Sequence, residues 1–443
     1  MLHTRERSAR TNADIDTALI DARSRYESRN QRSFLQHQKA CEVMPGGNTR
    51  SILFHTPFPL TIVGGKGCCI EDADGHIYVD YLGEFTAGLF GHSHPEIRSA
   101  VIKALDGGIN LSGQNMLEAA FAKSICDRFP SIERIRFTNS GTEANLMAVA
   151  TAMAFTGRKK VLAFKGGYHG GLMSFGEHAS PVNAPYDLVL IEYNDTETVE
   201  QLLEREGSQF AAILVEPMLG AGGCIPAEAA FLRCLRNKAS QHGAVLIFDE
   251  IMTSRLAPGG LQKSCGIAAD MTTLGKYIGG GLSFGAFGGR AEILDLYDPR
   301  RPSALQHAGT FNNNILTMSA GLVAMTRIFT VEACTALSAR GDALRSKLNN
   351  LATSRGTALQ FTGVGSLMTA HFSSVPVTRP SQVWAGDAKL KELFYFDMLE
   401  RGQFMARRAM TALSLEIGDA ECVSFVDSVT DFIEVRQALI PRL

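Results

Sequence analysis

Ala244-Val245-Leu246-Ile247-Phe248-Asp249-Glu250 is the stretch around which the rest of the chain falls into order. Five consecutive apolar residues predict a buried strand, and a pair of acids stands at its carboxyl end. In open α/β sheets ligands bind in the crevice beyond the carboxyl ends of the strands, so an acid placed there is aimed at a site. Asp249 taken alone has a plainer reading, as a structural acid that caps the following segment.

The same rhythm continues on the N-terminal side. A strand over Arg134–Thr138 precedes a helix over 143–155, and further strands are expected at Lys160–Phe164, 188–191 and 211–215. Short apolar strands alternating with helical stretches predict an α/β fold, a mainly parallel sheet with helices on both faces. Ahead of it, residues 14–43 carry Ile15, Leu19, Ile20, Tyr26 and Phe34 at helical spacing, which predicts one or two amphipathic helices broken by MPGGNTR at 44–50. Residues 60–81 predict a small antiparallel sheet with turns at Gly64-Gly65 and Asp74-Gly75. Beyond 317 the pattern becomes helical over 318–329 and 333–351, then strand-like over 359–364 and 366–372. The expected division is therefore 1–80, a large ligand-binding domain over 81–317, and an α+β region over 318–443, with both terminal segments contributing to the smaller domain.

Composition narrows the classes of function. A net charge of -2 over 443 residues offers no basic excess to neutralise a phosphate backbone, so nucleic acid is not an expected partner. The charged opening, MLHTRERSARTNADIDTALIDARSRY, has no apolar core of a signal peptide, and nowhere do eighteen apolar residues run uninterrupted, so a membrane is not expected and a cytoplasmic location is. Nine scattered cysteines without a C-x-x-C pair predict reduced, mostly buried thiols and no metal site.

Three features carry chemistry. Thr138-Asn139-Ser140-Gly141-Thr142-Glu143-Ala144 joins a strand to a helix: small residues let backbone N–H groups approach a phosphate, the helix N-terminus adds partial positive charge, and the hydroxyls of Ser140 and Thr142 supply donors. An ordinary N-cap would read the same way. Met271-Thr272-Thr273-Leu274-Gly275-Lys276 places a lysine just after a short apolar strand, with no nearby carboxylate and with Gly279-Gly280-Gly281 beyond it. Such a lysine can be desolvated, neutral near pH 7 and able to form an imine with an aldehyde, although a single lysine is usually a solvated surface charge. With an imine in view, Asp249 gains a second reading. A carboxylate about 3 Å from a protonated ring nitrogen gains roughly 5 kcal/mol at an effective dielectric near 20, or about 4 pKa units, enough to keep a pyridine protonated as an electron sink.

The motifs NSGTEAN, GGYHG, VEPMLGAGGCIP, FDEIM, LGKYIGGG and HAGTFNNN follow one another in an order that resembles the class III, fold type I aminotransferases from about Gly46 onward. The resemblance implies a mainly parallel seven-stranded sheet and pyridoxal 5'-phosphate as cofactor. It implies that Lys276 holds the cofactor's aldehyde and shuttles protons, and that Asp249 pairs with the pyridine nitrogen. Tyr168 would stack on one ring face and Ile251 pack on the other, with His169 close by and Glu216 near the ring hydroxyl. Ser140, Gly141 and Thr142 would hold the phosphate, joined by Thr310 from the other subunit of a homodimer.

Within the class, MPGGNTRSILF, PFPLTI, EFTAGLFGHSHPEI, GGINLSG, FDEIMTSRLAPGG, SFGAFGGR and GTFNNN resemble the β-amino-acid (β-phenylalanine) aminotransferase group. The implied reaction passes the amino group of a β-amino acid to 2-oxoglutarate or pyruvate by a ping-pong sequence. In a β-amino acid the carboxylate lies one carbon farther from the nitrogen than in an α-amino acid, so one fixed arginine cannot serve both half-reactions in the same pose. The resemblance supplies Arg50 and Arg408 as the two carboxylate ligands, with Arg407 adjacent to the second, and the planar guanidinium suits the role through paired charge-assisted bonds. Ile52, Leu53, Phe54 and Phe58 line a pocket or pack in the core. Glutamate-1-semialdehyde aminomutases are more distant relatives, but FDEIMTSRLAPGG departs from their usual DEVMTGFR-type run. An aminomutase-like isomerase, a class III ω-amine transaminase and a silent binding module that regulates a partner are the competing readings.

Overall fold

The computed structural model describes residues 14–178 and 180–443. The charged first thirteen residues lie outside that description.

Two helices, α1 (Ile15–Arg29) and α2 (Gln31–Cys41), lead into three strands, β1 (Ile62–Lys66), β2 (Cys69–Asp72) and β3 (Ile77–Asp80), paired antiparallel as their alternating pattern and two turns require. Helices α3 (Pro95–Asp106) and α4 (Met116–Arg128) follow. Then come β4 (Arg134–Thr138), helix α5 (Gly141–Thr156), β5 (Lys160–Phe164), β6 (Asp187–Ile191), β7 (Phe210–Val215) and the short hairpin of β8 (Met218–Leu219) and β9 (Ile225–Pro226). The large sheet is completed by β10 (Val245–Asp249), β11 (Met271–Gly275) and β12 (Gly285–Gly289). Its seven strands run in the order β4, β12, β11, β10, β7, β5, β6.

The sheet is mainly parallel, and β12 is the strand that runs against its neighbours β4 and β11. Gly285-Ala-Phe-Gly-Gly289 has no apolar run from which a strand could be read, yet it is buried throughout. A Cβ at Gly285 would fall 2.0 Å from the Ser140 carbonyl oxygen, and one at Gly289 2.2 Å from that of Asp270, so close backbone approach demands glycine at both.

Strand β10 is buried at every residue, with β7 on one side and β11 on the other. Fully apolar strands belong in such a two-faced interior. Helix α5 lies against this sheet through Ala144, Asn145, Ala148, Val149, Thr151 and Ala152. Ser140 caps it by accepting the Glu143 N–H at 3.2 Å, Glu143 returns the bond by accepting the Asn139 N–H at 2.7 Å, and Gly157 ends it in the left-handed conformation.

Distant parts of the chain are knitted together. After β13 (Leu359–Val364) and β14 (Leu367–Phe372), β15 (Gln403–Phe404) adds to the edge of β3, and β16 (Met410–Ala412) pairs with β14. The helix Ala388–Glu400 packs on α1, where Arg23 donates to Glu392 at 2.6 and 3.0 Å, and inside it Arg436 grips the buried Asp397 at 2.7 and 3.1 Å. The cysteines are less uniform than expected: Cys224, Cys234 and Cys334 are buried, four others are half-buried, and Cys41 and Cys265 are exposed. They are spread through helices, strands and loops rather than held to the core, which is why burial does not follow from residue type alone.

Candidate active site

Five strands of the large sheet deliver a candidate residue at their carboxyl ends or within a few residues beyond. Strand β4 leads to Ser140, β5 to Tyr168 and His169, β7 to Glu216, β10 to Asp249 and β11 to Lys276.

Asp249 is buried and held by three donors. Asn145 Nδ2 donates to its Oδ2 at 2.8 Å, His169 Nδ1 stands 2.8 Å from the same oxygen, and the Ile251 N–H donates to Oδ1 at 3.0 Å. Asn145 is itself fully engaged, donating also to the His169 carbonyl at 3.1 Å and accepting from the Thr273 hydroxyl at 2.7 Å. Glu216 accepts the N–H groups of Tyr168 at 3.0 Å and Gly220 at 2.9 Å. Burial, reinforced by the charge of Asp249, pushes its carboxyl up to about 7.

Above this acid floor the N-terminus of the sixteen-residue α5 opens at Gly141 and Thr142. A Cβ on Gly141 would meet Ile251 Cδ1 at 2.5 Å, so glycine lets Ile251 pack against the helix start. Gly170, at φ +113°, comes equally close to Thr142, where a Cβ would lie 2.3 Å from the hydroxyl. Tyr168 remains 48% exposed, an aromatic face turned outward from an otherwise buried loop.

Lys276 is half-buried, sits in the left-handed region at φ +55°, and donates from Nζ to the Phe85 carbonyl at 2.8 Å. Burial first, then the charges of Arg408 and Arg50, push its ammonium down to about 8. Phe85 belongs to a run of four left-handed residues, Gly83 to Thr86, of which three are not glycine. Each non-glycine residue there costs of order 1–2 kcal/mol, so the turn persists only if its surroundings hold it. Asp80 accepts the N–H groups of Leu82 and Gly83 at 2.9 Å, and the buried Arg255 donates to the Thr86 carbonyl at 3.2 Å.

The Phe85 ring gathers both predicted arginines. The guanidinium carbon of Arg50 lies 5.3 Å from its centroid and that of Arg408 5.2 Å. Arg50 is exposed and paired with Glu84, whereas Arg408 is half-buried and its Nε has no hydrogen-bond partner among the described residues. Arg407 is exposed, so of the adjacent pair it is Arg408 that turns inward.

Residues 54–390 match the class III aminotransferase family. The chain belongs to the class III aminotransferases. It is 52% identical to a β-phenylalanine transaminase of Variovorax paradoxus over 98% of this chain and 99% of that one. The crystal structure of the β-phenylalanine aminotransferase of that organism superposes with a TM-score of 0.95, covering 97% of this chain and 99% of that one. An ω-transaminase of Sphaerobacter thermophilus is 34% identical, with a TM-score of 0.85 over 91% of this chain and 98% of that one. A glutamate-1-semialdehyde aminomutase of Pseudomonas aeruginosa, at 20% identity and a TM-score of 0.88 over 96% and 98%, shares the fold.

This aminotransferase is a pyridoxal-phosphate enzyme, and its residues fit that group. A helix start cleared by Gly141, the buried Asp249, the exposed Tyr168 and a lysine shifted toward neutrality could hold a phosphate, pair with a pyridine nitrogen, stack on a ring and offer an amine.

Two predicted positions fall elsewhere. Thr310 is exposed and lines a cavity of about 570 Å3 with Leu111, Asn115 and Phe311, in which no other predicted site residue takes part. Phe58 is buried against Tyr26 and Phe34, each 5.2 Å away between centroids, and is core, while Ile52 and Phe54 do line a cavity with Phe85 and Arg408. Asn145, Thr273 and Phe85 escaped the reading of single residues. Asn145 stands three positions after Thr142 in NSGTEAN, one helical turn deeper, which is the signal that could have found it.

Proposed function

We propose that this aminotransferase moves the amino group of a β-amino acid, such as 3-amino-3-phenylpropanoate, to 2-oxoglutarate or pyruvate in a ping-pong sequence. The observation that carries the reading is the convergence of Arg50 and Arg408 on the Phe85 ring, beside the carbonyl that receives Lys276. Two carboxylate-binding cations from separate chain segments serve two substrates whose carboxylates lie at different distances from the nitrogen. The 52% identity to the Variovorax enzyme supports the same substrate class.

Pyridoxal phosphate, when bound, supplies an aldehyde that captures the amine and a ring that accepts electrons. Lys276 would take the proton from the amine-bearing carbon and deliver it to the carbon on the far side of the nitrogen, a task suited to an amine near neutrality. Asp249, oriented by His169 and Asn145, holds a proton at the ring nitrogen. Ser140, Gly141 and Thr142 would hold the phosphate at the start of α5, Tyr168 and Ile251 would cover the ring faces, and Glu216 would lie toward the ring hydroxyl. Thr310 acts from the partner of a homodimer: its cavity carries the half-exposed Leu111 and Phe311, apolar surface that association would cover. The large body over 81–317 carries the cofactor residues, and nine free thiols suit a reducing compartment such as the cytoplasm.

A panel of amine donors, read with 2-oxoglutarate and then with pyruvate, tests the reading. β-Phenylalanine is expected among the best donors; activity confined to α-amino acids or simple amines would overturn it. Formation of 5-aminolevulinate from glutamate-1-semialdehyde would favour the isomerase instead.

A further inference from the structure

Lys391, on the helix Ala388–Glu400, lines a cavity of about 360 Å3 together with Arg408, Phe85, Ile52 and Phe54. Its Nζ lies 3.3 Å from Nδ1 of the buried His371. The other ring nitrogen of His371 faces the Gly223 carbonyl at 3.0 Å and the Thr362 hydroxyl at 2.8 Å. Burial and the adjacent Lys391 push this imidazole down to about 3, so it is neutral; with Nε2–H donated to the carbonyl, Nδ1 is left to accept from the ammonium. Burial and the charge of Arg408 push Lys391 itself down to about 8.

Among the described residues, neither cation has a carboxylate partner in the cavity. The acid among the lining residues, Glu392, is taken by Arg23 at 2.6 and 3.0 Å. Arg408 touches the Phe85 ring and donates to Met410 Sδ at 3.2 Å, and its buried Nε has no acceptor among the described residues. Two partly desolvated cations in one cavity are costly to each other, and an anion carrying two negative charges relieves both.

We propose that Lys391 and Arg408 form a paired site for a dicarboxylate, in which Arg408 takes one carboxylate of the amino acceptor and Lys391 the other. Lys391 is then the specificity-determining residue that favours a dicarboxylic keto acid of the 2-oxoglutarate type over a monocarboxylic one such as pyruvate. This rests on the transaminase reading above, but the acceptor half-reaction can be followed without a β-amino acid, by loading the enzyme with pyridoxamine phosphate.

The test compares the parent with Lys391→Met and Lys391→Arg. In Lys391→Met the KM for 2-oxoglutarate is expected to rise about 10-fold or more, as for loss of a charge-assisted bond, with pyruvate changed by less than about 2-fold. Lys391→Arg is expected to recover most of the preference. Calorimetric titration of the holoenzyme with unreactive glutarate and butyrate gives a readout apart from turnover: Lys391→Met should weaken glutarate and leave butyrate unchanged. Parallel losses for both keto acids, or an unchanged ratio, would overturn the proposal. Failure of β-phenylalanine as donor, with the acceptor ratio shifted as expected, would overturn the donor assignment alone.

Discussion

Asn145 Nδ2 donates to Asp249 Oδ2 at 2.8 Å, the same oxygen that His169 Nδ1 approaches to 2.8 Å. The carboxylate is thereby fixed in one orientation by partners from α5 and from the loop after β5. Replacing Asp249 by Asn leaves the phosphate cradle untouched, so cofactor should remain bound while proton abstraction slows by about 100-fold or more, because nothing then keeps the ring nitrogen protonated. Single-turnover absorbance at saturating cofactor checks this; turnover near that of the parent would mean another group pairs with the ring.

Asn145→Ala should be felt in stability as well as rate. It strands the Thr273 hydroxyl and the His169 carbonyl, both engaged by this amide at 2.7 and 3.1 Å, at a cost of about 1–3 kcal/mol. Urea unfolding of the cofactor-free enzyme measures it, and an unchanged midpoint would count against a structural part for this amide.

Lys276→Ala should abolish both transamination and the visible absorbance of lysine-bound cofactor, since it removes the amine assigned to the cofactor's aldehyde. Borohydride reduction followed by peptide mapping supplies the control. A reduced adduct elsewhere in the chain would remove Lys276 from the role.

Capture of added pyridoxal phosphate by the cofactor-free enzyme needs the neutral amine of Lys276. With its pKa pushed down to about 8 by burial and Arg408, the capture rate should climb as pH rises toward 8 and level off above it. Arg408→Met removes one of the charges that disfavour the ammonium, so the rise should move to higher pH. A rate independent of pH between 6 and 9, or a shift downward in that variant, would contradict the assignment of cause.

Arg50 and Arg408 should divide the two half-reactions. Arg50→Ala should lose about 10- to 150-fold in kcat/KM for β-phenylalanine, the worth of a charge-assisted bond of roughly 1.5–3 kcal/mol, and lose less with glutamate and 2-oxoglutarate. Arg408→Ala should show the reverse bias. Stopped-flow absorbance of each half-reaction separates them; equal losses in both would mean one shared carboxylate site.

Part of the parallel sheet was legible because strands such as 244–248 are uninterrupted apolar runs, here ending at Asp249. The end of such a strand marks where a site opens, so Asp249, and with it Ser140 and Lys276 just after strands of their own, could be read from the residues, whereas Tyr168 and Glu216 entered only through the family resemblance. Strand β12 could not, because its glycines are set by the backbones that pack against it, where a Cβ on Gly285 would fall 2.0 Å from the Ser140 carbonyl oxygen, and not by an apolar pattern of their own. The partners of Asp249 and the gathering of Arg50, Arg408 and Lys276 around Phe85 were decided only by tertiary structure. A left-handed turn at 83–86 held by a buried arginine from 169 residues away leaves no local pattern, since its stability comes from the contacts that surround it and not from the residues that form it.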